Sequence, residues 1–367
     1  MNNRQPTTDH EQRKRIFLAG GSTGGGPVMP LLALAKTLAR ELPVCEFLWL
    51  GSSLPLERKL VAHAGIAYRA IPSGKLRRYV AWENVMDIAC VIGGFFSAVA
   101  LISRYRPKLM VTAGGFSGPP VALACWLFHI PVHVHQQDVI PGLANRLMAP
   151  FAASVSVTVA ASQRYFSPRK TTVTGAVVRA DVLYGDASRF FRSLGIDTRK
   201  PVVIVLGGGQ GAIALNRLVE QSLVYMSPDV HIAHVTGYGK RLTPTRRRGY
   251  TQKEFVGADL PDWYAAADIV VTRAGFATLA ELAALRKTVV VVPMPRSHQE
   301  ANAAYFADRQ GVRVLAETAD PKIFAENITN LLADAQARKR LGDALYTSLP
   351  PSGLAALTPL ILSYAKR

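Results

Sequence analysis

Between Thr272 and Ala303 the chain reads TRAGFATLAELAALRKTVVVVPMPRSHQEANA, and its polar residues fall at intervals that suit a nucleotide sugar. Thr278 falls in the first turn of a helix expected after Arg273-Ala274-Gly275. The unpaired amides of such a turn and the helix dipole both favour an anion such as a diphosphate. Glu281 follows about one turn later, where a carboxylate can accept hydrogen bonds from the two hydroxyls of a ribose. The amide and carboxylate groups of His298-Gln299-Glu300-Ala301-Asn302 suit the hydroxyls of a sugar. Phosphate, ribose and hexose are served in chain order. An ordinary βαβ unit closed by a polar loop would use the same residue types, because glycine turns and helical glutamates are common.

The elements that must position these groups are alternating strands and helices. Asp268–Thr272 is an apolar run that feeds the site, Leu279, Leu282, Ala283 and Leu285 recur at helical spacing, and Val289–Val292 forms the next strand. The same grammar opens the chain. Arg15–Ala19 is a short buried strand leading into Gly20-Gly21-Ser22-Thr23-Gly24-Gly25-Gly26-Pro27 and a helix with Leu31, Leu34 and Leu38. Glycines at such a turn let backbone amides approach an anion with no Cβ in the way. Glu46–Gly51 and Leu109–Thr112 read as further strands, the latter ending in the second glycine loop, Ala113–Pro120. Ile130–His135 reads as a strand ending in Gln136-Gln137-Asp138, and Pro141–Arg146 starts a helix that carries Asn145. Polar groups after strand ends are where open parallel sheets place ligands. His133 alternates with valines and suits a structural role; His135, read as nearer the strand end, suits a site. Thr174–Arg179 closes this half. Roughly 190 residues after the first glycine loop the pattern returns: Val202–Leu206, then Gly207-Gly208-Gly209-Gln210-Gly211-Ala212 and a helix. After another strand, Glu254-Phe255-Val256-Gly257 forms a loop in which the Phe255 side chain packs and nearby backbone is placed to read a base.

These patterns predict an α/β protein with two similar domains of parallel strands covered by helices. Residues 1–14 read as a mobile basic tail, 15–180 as the first domain, 181–199 as a polar connector, 200–348 as the second domain and 349–367 as a terminal helix. The formal net charge is +18, which draws anions: phosphorylated substrates or an anionic membrane face. No basic run studded with aromatics is present, so nucleic acid is not the expected partner. Three cysteines far apart give no zinc-ligand spacing and no disulfide framework. Neither a signal peptide nor a metal site is expected. The apolar run from Ile88 to Ile102, flanked by Lys75, Arg77, Arg78 and Trp82 before it and by Arg104, Arg106 and Lys108 after it, is shorter than the ~20 residues that span a bilayer. It is expected to be a buried core helix, a helix pressed on a membrane surface, or one with a face for each.

Taken in order, AGGSTGG near Gly20, SGKLRRY at Ser73–Tyr79, AGGFSGPP at Ala113–Pro120, PGLAN at Pro141–Asn145, TGAVVR at Thr174–Arg179, GGGQGA at Gly207–Ala212, RAG with AELAAL, and HQEANA at His298–Ala303 resemble the MurG-type transferases of peptidoglycan synthesis. The resemblance runs over nearly the whole chain. It implies the GT-B architecture, two Rossmann-like domains facing across a cleft, with the terminal helix packing back on the first. It implies a peripheral enzyme on the cytoplasmic face of the plasma membrane, one that needs no tightly bound metal or cofactor. That enzyme would move N-acetylglucosamine with inversion from UDP-N-acetylglucosamine to the muramic acid 4-hydroxyl of lipid I, giving lipid II, alongside other proteins of cell-wall synthesis. Carried over residue by residue, Gly20, Gly21, Ser22, Thr23, Gly24, Gly25, Gly114, Gly115 and Asn145 would meet the acceptor diphosphate. Phe276, Ala277 and Thr278 would lie at the donor diphosphate, Phe255 and Val256 by the uracil, Glu281 on the ribose and Gln299 on the sugar. Arg179, Gly209 and Gln210 would line the donor side. The chain departs from the pattern in three places. The histidine usual after the first TGG, the family's favoured general base, is replaced by Gly26-Pro27. His135-Gln136-Gln137-Asp138 stands where many members have His-Glu-Gln-Asn, and Gly209 where many have serine. His135 and Asp138 are therefore the candidate bases, with Asp138 acting directly or orienting His135. A related transferase with another lipid acceptor, or an inactive nucleotide-sugar-binding protein at the membrane, would share the donor motifs.

Overall fold

The structure, a computed structural model, describes residues 14–21, 26–74, 83–242 and 247–366. Ser22–Gly25 of the first glycine loop, Lys75–Trp82 and the tail before residue 14 lie outside the described residues.

Two sheets form, and every strand pair in both is parallel. The first contains β1 (Arg15–Ala19), β2 (Glu46–Gly51), β3 (Ala67–Ala70), β4 (Leu109–Thr112), β5 (Val132–Gln136), β6 (Ser154–Val157) and β7 (Thr171–Val173), in the order β3-β2-β1-β4-β5-β6-β7. The second contains β8 (Val202–Leu206), β9 (His231–Val235), β10 (Tyr250–Lys253), β11 (Ile269–Thr272), β12 (Thr288–Val291) and β13 (Arg313–Val314), in the order β10-β9-β8-β11-β12-β13. Each sheet winds outward from its own first strand, so the direction of winding reverses between β1 and β4 and again between β8 and β11. The crevice beyond the strand ends at such a reversal is where doubly wound sheets hold ligands. The loops there are the glycine loops after β1, β4 and β8, together with Arg273–Gly275 after β11.

The cores follow from the patterns. In α1 (Val28–Glu41) the buried Leu31, Leu34, Ala35 and Leu38 share one face. α13 (Gly353–Ala365) lays Leu357, Ile361 and Ala365, one turn apart, into the same cluster. Within 181–199, α6 (Ala187–Leu194) is capped by Asp186 and ended by Gly195 in the left-handed region. Its Phe190 is buried edge-on against Trp263 of α8 (Leu260–Ala266), centroids 5.3 Å apart. The segment read as a polar connector thus contributes an aromatic to the second core.

The apolar run near Ile88 lies in a longer helix, α3 (Glu83–Tyr105). Ala98 and Ile102 are buried in the first core, with Phe95, Val99 and Tyr105 packed against it. Ile88, Ile92 and Phe96, each four residues apart, remain exposed. The stretch Asp87–Tyr105, at 19 residues and mean hydropathy 1.7, is long and apolar enough to cross a membrane by length and composition, yet one face is committed to the core.

Candidate functional site

The second sheet offers an uncapped helix start at α9 (Phe276–Ala284), of the kind that can take an anion. Gly275 is extended there, no side chain caps the helix, and the first backbone bond within it is Leu279 N–H to Gly275 C=O. The amides of Phe276, Ala277 and Thr278 therefore belong to the orphan donors of a helix start. Phe276 is buried against Phe306, centroids 5.6 Å apart, which fixes the turn.

Glu281, 7% exposed, faces Arg179, whose Nε donates to its Oε1 at 2.8 Å. The two residues lie 102 positions apart, and the fold brings them together. Tyr264, wholly buried, bonds to the same carboxylate and to Thr278. Burial raises the Glu281 pKa, while Arg179 and the Tyr264 hydroxyl pull it back. Burial likewise pushes the Tyr264 phenol well above its ordinary value, so that it stays protonated and donates. A desolvated carboxylate with donors on two sides is held in one orientation, ready to accept from vicinal hydroxyls. Tyr264 escaped the sequence reading because an aromatic in an apolar helix carries no sign of its partner.

Gln299 lies in the first turn of α10 (His298–Ala307), where Ser297 caps the helix. Its Oε1 accepts from the Met294 amide at 2.9 Å, orienting the side-chain amide. Gly209 and Gln210 stand exposed in the loop after β8, and Lys240 Nζ donates to the carbonyls of Gln210 and Gly211. Val256 is buried, and no hydrogen bond within the described residues engages its backbone N–H or C=O.

On the first sheet the two glycine loops are stitched together. Phe116 N–H donates to Gly21 C=O at 2.7 Å, and Gly21 N–H to Ser117 Oγ at 3.0 Å. Gly115 has φ +90, and a Cβ there would stand 2.0 Å from Gly21 O, so only glycine permits the approach. Asn145, 5% exposed, donates to Gln136 Oε1 at 2.6 Å, while its own Oδ1 lacks a partner among the described residues and lies where a Cβ on Gly114 would meet it at 2.9 Å. What Asn145 presents to this loop is thus an acceptor oxygen, suited to a ligand hydroxyl or N–H.

The two candidate bases occupy different places. β5 runs one residue beyond His135, which is consequently inside the strand and 1% exposed rather than at its end. Its Nδ1 meets Ser156 Oγ at 2.8 Å and its Nε2 has no partner. His133 bridges Ser154 and Ser156 at 2.8 and 2.9 Å. Burial lowers His135 to about 4 and His133 to about 3. Asp138 lies past the strand end and bonds instead to Asn302 of α10, whose Nδ2 donates to its Oδ1 at 2.8 Å. The reading in which Asp138 orients His135 is therefore corrected: the His135 imidazole is buried within the sheet on Ser156 of β6, and the Asp138 carboxylate, past the strand end, is held by Asn302 of α10 instead. Burial raises the Asp138 pKa, with His298 and the Asn302 amide opposing. Asn302, 0% exposed, also donates to Ala274 C=O at 3.0 Å and accepts from Val139 N–H at 3.0 Å. It joins the candidate base to the loop that opens α9. Sequence reasoning put Asn302 in a polar loop among groups for a sugar; it lies instead inside helix α10 and faces Asp138.

The neutral histidines carry a stability prediction. The unfolded chain protonates them near 6.5, the folded chain only near 3 and 4. Below pH 6.5 the unfolded state binds more protons, so stability is lost as pH falls toward 4, at up to about 1.4 kcal/mol per pH unit for each histidine. Urea midpoints at pH 7.5 and pH 5 should differ more for the native chain than for the His133→Gln, His135→Gln double variant. Equal pH dependence in both would place the effect elsewhere.

Two doubly wound sheets with a carboxylate-bearing, uncapped helix start on the second have the GT-B architecture, and the family matches make the chain a glycosyltransferase of that class. Residues 16–157 match the glycosyltransferase family 28 N-terminal domain and residues 202–348 its C-terminal domain. The chain belongs to the family of UDP-N-acetylglucosamine–N-acetylmuramyl-(pentapeptide) pyrophosphoryl-undecaprenol N-acetylglucosamine transferases. The relative of that name from Geobacillus thermodenitrificans is 35% identical over 83% of this chain and 86% of its own length. One from Clostridium botulinum strain Langeland is 33% identical over 96% of this chain and its full length. The crystal structure of Acinetobacter baumannii MurG superposes with a TM-score of 0.71 at 23% identity, covering 95% of this chain and 99% of that one, which shows the shared fold.

Proposed function

We propose that this protein transfers N-acetylglucosamine, with inversion, from UDP-N-acetylglucosamine to the muramic acid 4-hydroxyl of undecaprenyl-diphosphate-linked lipid I, forming lipid II. The observation that carries the reading is the Glu281–Arg179–Tyr264 cluster beside the uncapped start of α9, in a chain of this family. Glu281 accepts from the ribose hydroxyls, the amides of Phe276, Ala277 and Thr278 take the diphosphate with the Gly209-Gln210 loop opposite, and the Val256 backbone reads the uracil. Gln299 holds the hexose. On the first sheet the Gly20-Gly21 and Gly114-Gly115 loops take the acceptor diphosphate. Asn145 meets a donor group of the acceptor. Asp138 removes the proton from the 4-hydroxyl as that oxygen attacks the anomeric carbon from the face opposite UDP. The bond to UDP breaks, and the helix-start amides stabilise the charge that develops on it. His135 supports the sheet beneath. The test is transfer of labelled N-acetylglucosamine to a short-chain lipid I analogue. UDP-N-acetylglucosamine binding without transfer to any lipid would overturn the enzymatic reading.

We further propose that the acceptor is met at the cytoplasmic face of the plasma membrane through an anionic lipid surface. Support comes from one apolar exposed face. Beside Ile88, Ile92 and Phe96 of α3, α4 (Gly118–Leu127) exposes Leu123, Trp126 and Leu127, followed by Phe128, and α5 (Leu143–Met148) exposes Leu143 and Leu147. Arg104, Arg106, Lys108 and Arg146 are exposed on the same elements or just after them. Apolar insertion with a basic rim is how peripheral proteins hold anionic bilayers. The Phe96→Glu, Trp126→Glu double variant should lose sedimentation with phosphatidylglycerol vesicles while binding UDP normally. Undiminished sedimentation would put the contact on another face.

A further inference from the structure

The turn between β9 and β10, residues 236–240, joins the two loops that the donor reading assigns to opposite ends of the nucleotide. Toward the base loop, Gly237 N–H donates to Glu254 C=O at 3.0 Å and Gly239 N–H to Glu254 Oε1 at 3.2 Å. Above these bonds the Tyr238 ring lies flat on Phe255, centroids 5.2 Å apart and planes 16° apart. Tyr238 is 62% exposed, so its packing is spent on Phe255 and not on the core. Toward the phosphate loop, Lys240 Nζ donates to the carbonyls of Gln210 and Gly211. Gly211 and Gly237, both with positive φ, meet backbone to backbone, and a Cβ on Gly237 would stand 2.5 Å from the Gly211 Cα. Beneath, the buried Asn216 of α7 (Ile213–Ser222) donates to Thr236 C=O at 2.9 Å and Lys240 C=O at 3.3 Å. α7 is the helix that the phosphate loop opens, so the turn is fixed to that loop from two sides.

We propose that Tyr238 and Lys240 are positioning residues for the donor nucleotide, and that the turn they brace sets the separation between the Val256 backbone and the Gly209-Gln210 loop. A ligand that spans both loops gains from finding them at a fixed distance, because the ordering was completed on folding. A ligand that reaches only one loop gains nothing from the brace. This rests on the donor-site reading, and it adds residues to which that reading gives no part. Tyr238 does not touch the nucleotide in this scheme; it acts through Phe255.

Isothermal titration of the full chain with UDP and with uridine separates the two effects. In Tyr238→Ala, loss of an aromatic pair worth about 1 kcal/mol should weaken UDP roughly fivefold, while uridine, which reaches the base loop alone, changes less than twofold. Tyr238→Phe keeps the stack and should bind like the native protein. Lys240→Met, which cuts the other arm, should repeat the selective loss of UDP and serves if Tyr238→Ala does not fold. An unchanged ratio of UDP to uridine affinity in both variants, or equal losses for the two ligands, would overturn the inference while leaving the donor site standing. Failure of the native chain to bind UDP at all would overturn the donor-site reading, and this inference with it.

Discussion

Replacing Glu281 by alanine should lower kcat/KM for UDP-N-acetylglucosamine by roughly 10²–10⁴-fold. Two hydrogen bonds from ribose hydroxyls to a charged acceptor are worth about 1.5–3 kcal/mol each, and the site is desolvated, with Glu281 7% exposed. The ribose is held alike before and during transfer, so most of the loss should fall on KM and little on kcat. The variant also strands two groups: Arg179 loses its 2.8 Å partner and the buried Tyr264 hydroxyl loses its acceptor. A modest fall in melting temperature should accompany the kinetic effect for that reason. Glu281→Gln keeps an acceptor and the volume but not the charge, and should lie between the two. Steady-state kinetics with donor varied at fixed acceptor decide it: an unchanged KM would remove Glu281 from the donor site.

Asp138→Asn should lower kcat by about 10²–10⁴-fold, the range that a positioned general base supplies, with KM for donor little altered. Asparagine can still accept from Asn302, so the local geometry is kept and only basicity is removed. The native pH profile should carry an acid limb above the ordinary carboxylate range, because burial raises the Asp138 pKa. Below that value the carboxyl is protonated and cannot take the hydroxyl proton, so the rate falls as pH falls. The variant should lose the limb along with the rate. Stability should move the other way. A carboxyl whose folded pKa exceeds its unfolded one favours the folded state when protonated, and that contribution is lost as pH rises through the raised value. At pH 7 to 8 the variant should therefore be at least as stable as the native chain, a trade common at catalytic groups. A variant that turns over normally would move the base elsewhere.

What could be seen in the sequence was whatever short-range rules govern. Strand, glycine loop and helix occur together within a few residues, so the turns after β1, β4 and β8 were legible from Gly20-Gly21, Gly114-Gly115 and Gly207–Gly211 alone. The helix carrying Glu281 was legible from its apolar spacing. Where a strand ends is less determined: β5 runs one residue further than its valines suggest, and that single residue moves His135 from the rim into the packing. α3 extends beyond the apolar run because helix length is set by what it packs on, here α4 and the first core. Partners far apart in sequence were not legible at all. Nothing about Tyr264 announces Glu281, and nothing about Tyr238 announces Phe255, since only the folded sheet brings their loops alongside.

Asn302 carries one more consequence. Its single amide group bonds to Asp138 and Val139, which follow β5, and to Ala274, which follows β11. A relative rotation of the two sheets that parts these loops must break those bonds around a fully buried side chain, so the low-cost motions are those that turn about this amide and keep it in place. It is a fulcrum set beside the reacting groups, and a swing of the outer loops to admit or release a nucleotide would leave the distance between Asp138 and the start of α9 nearly constant.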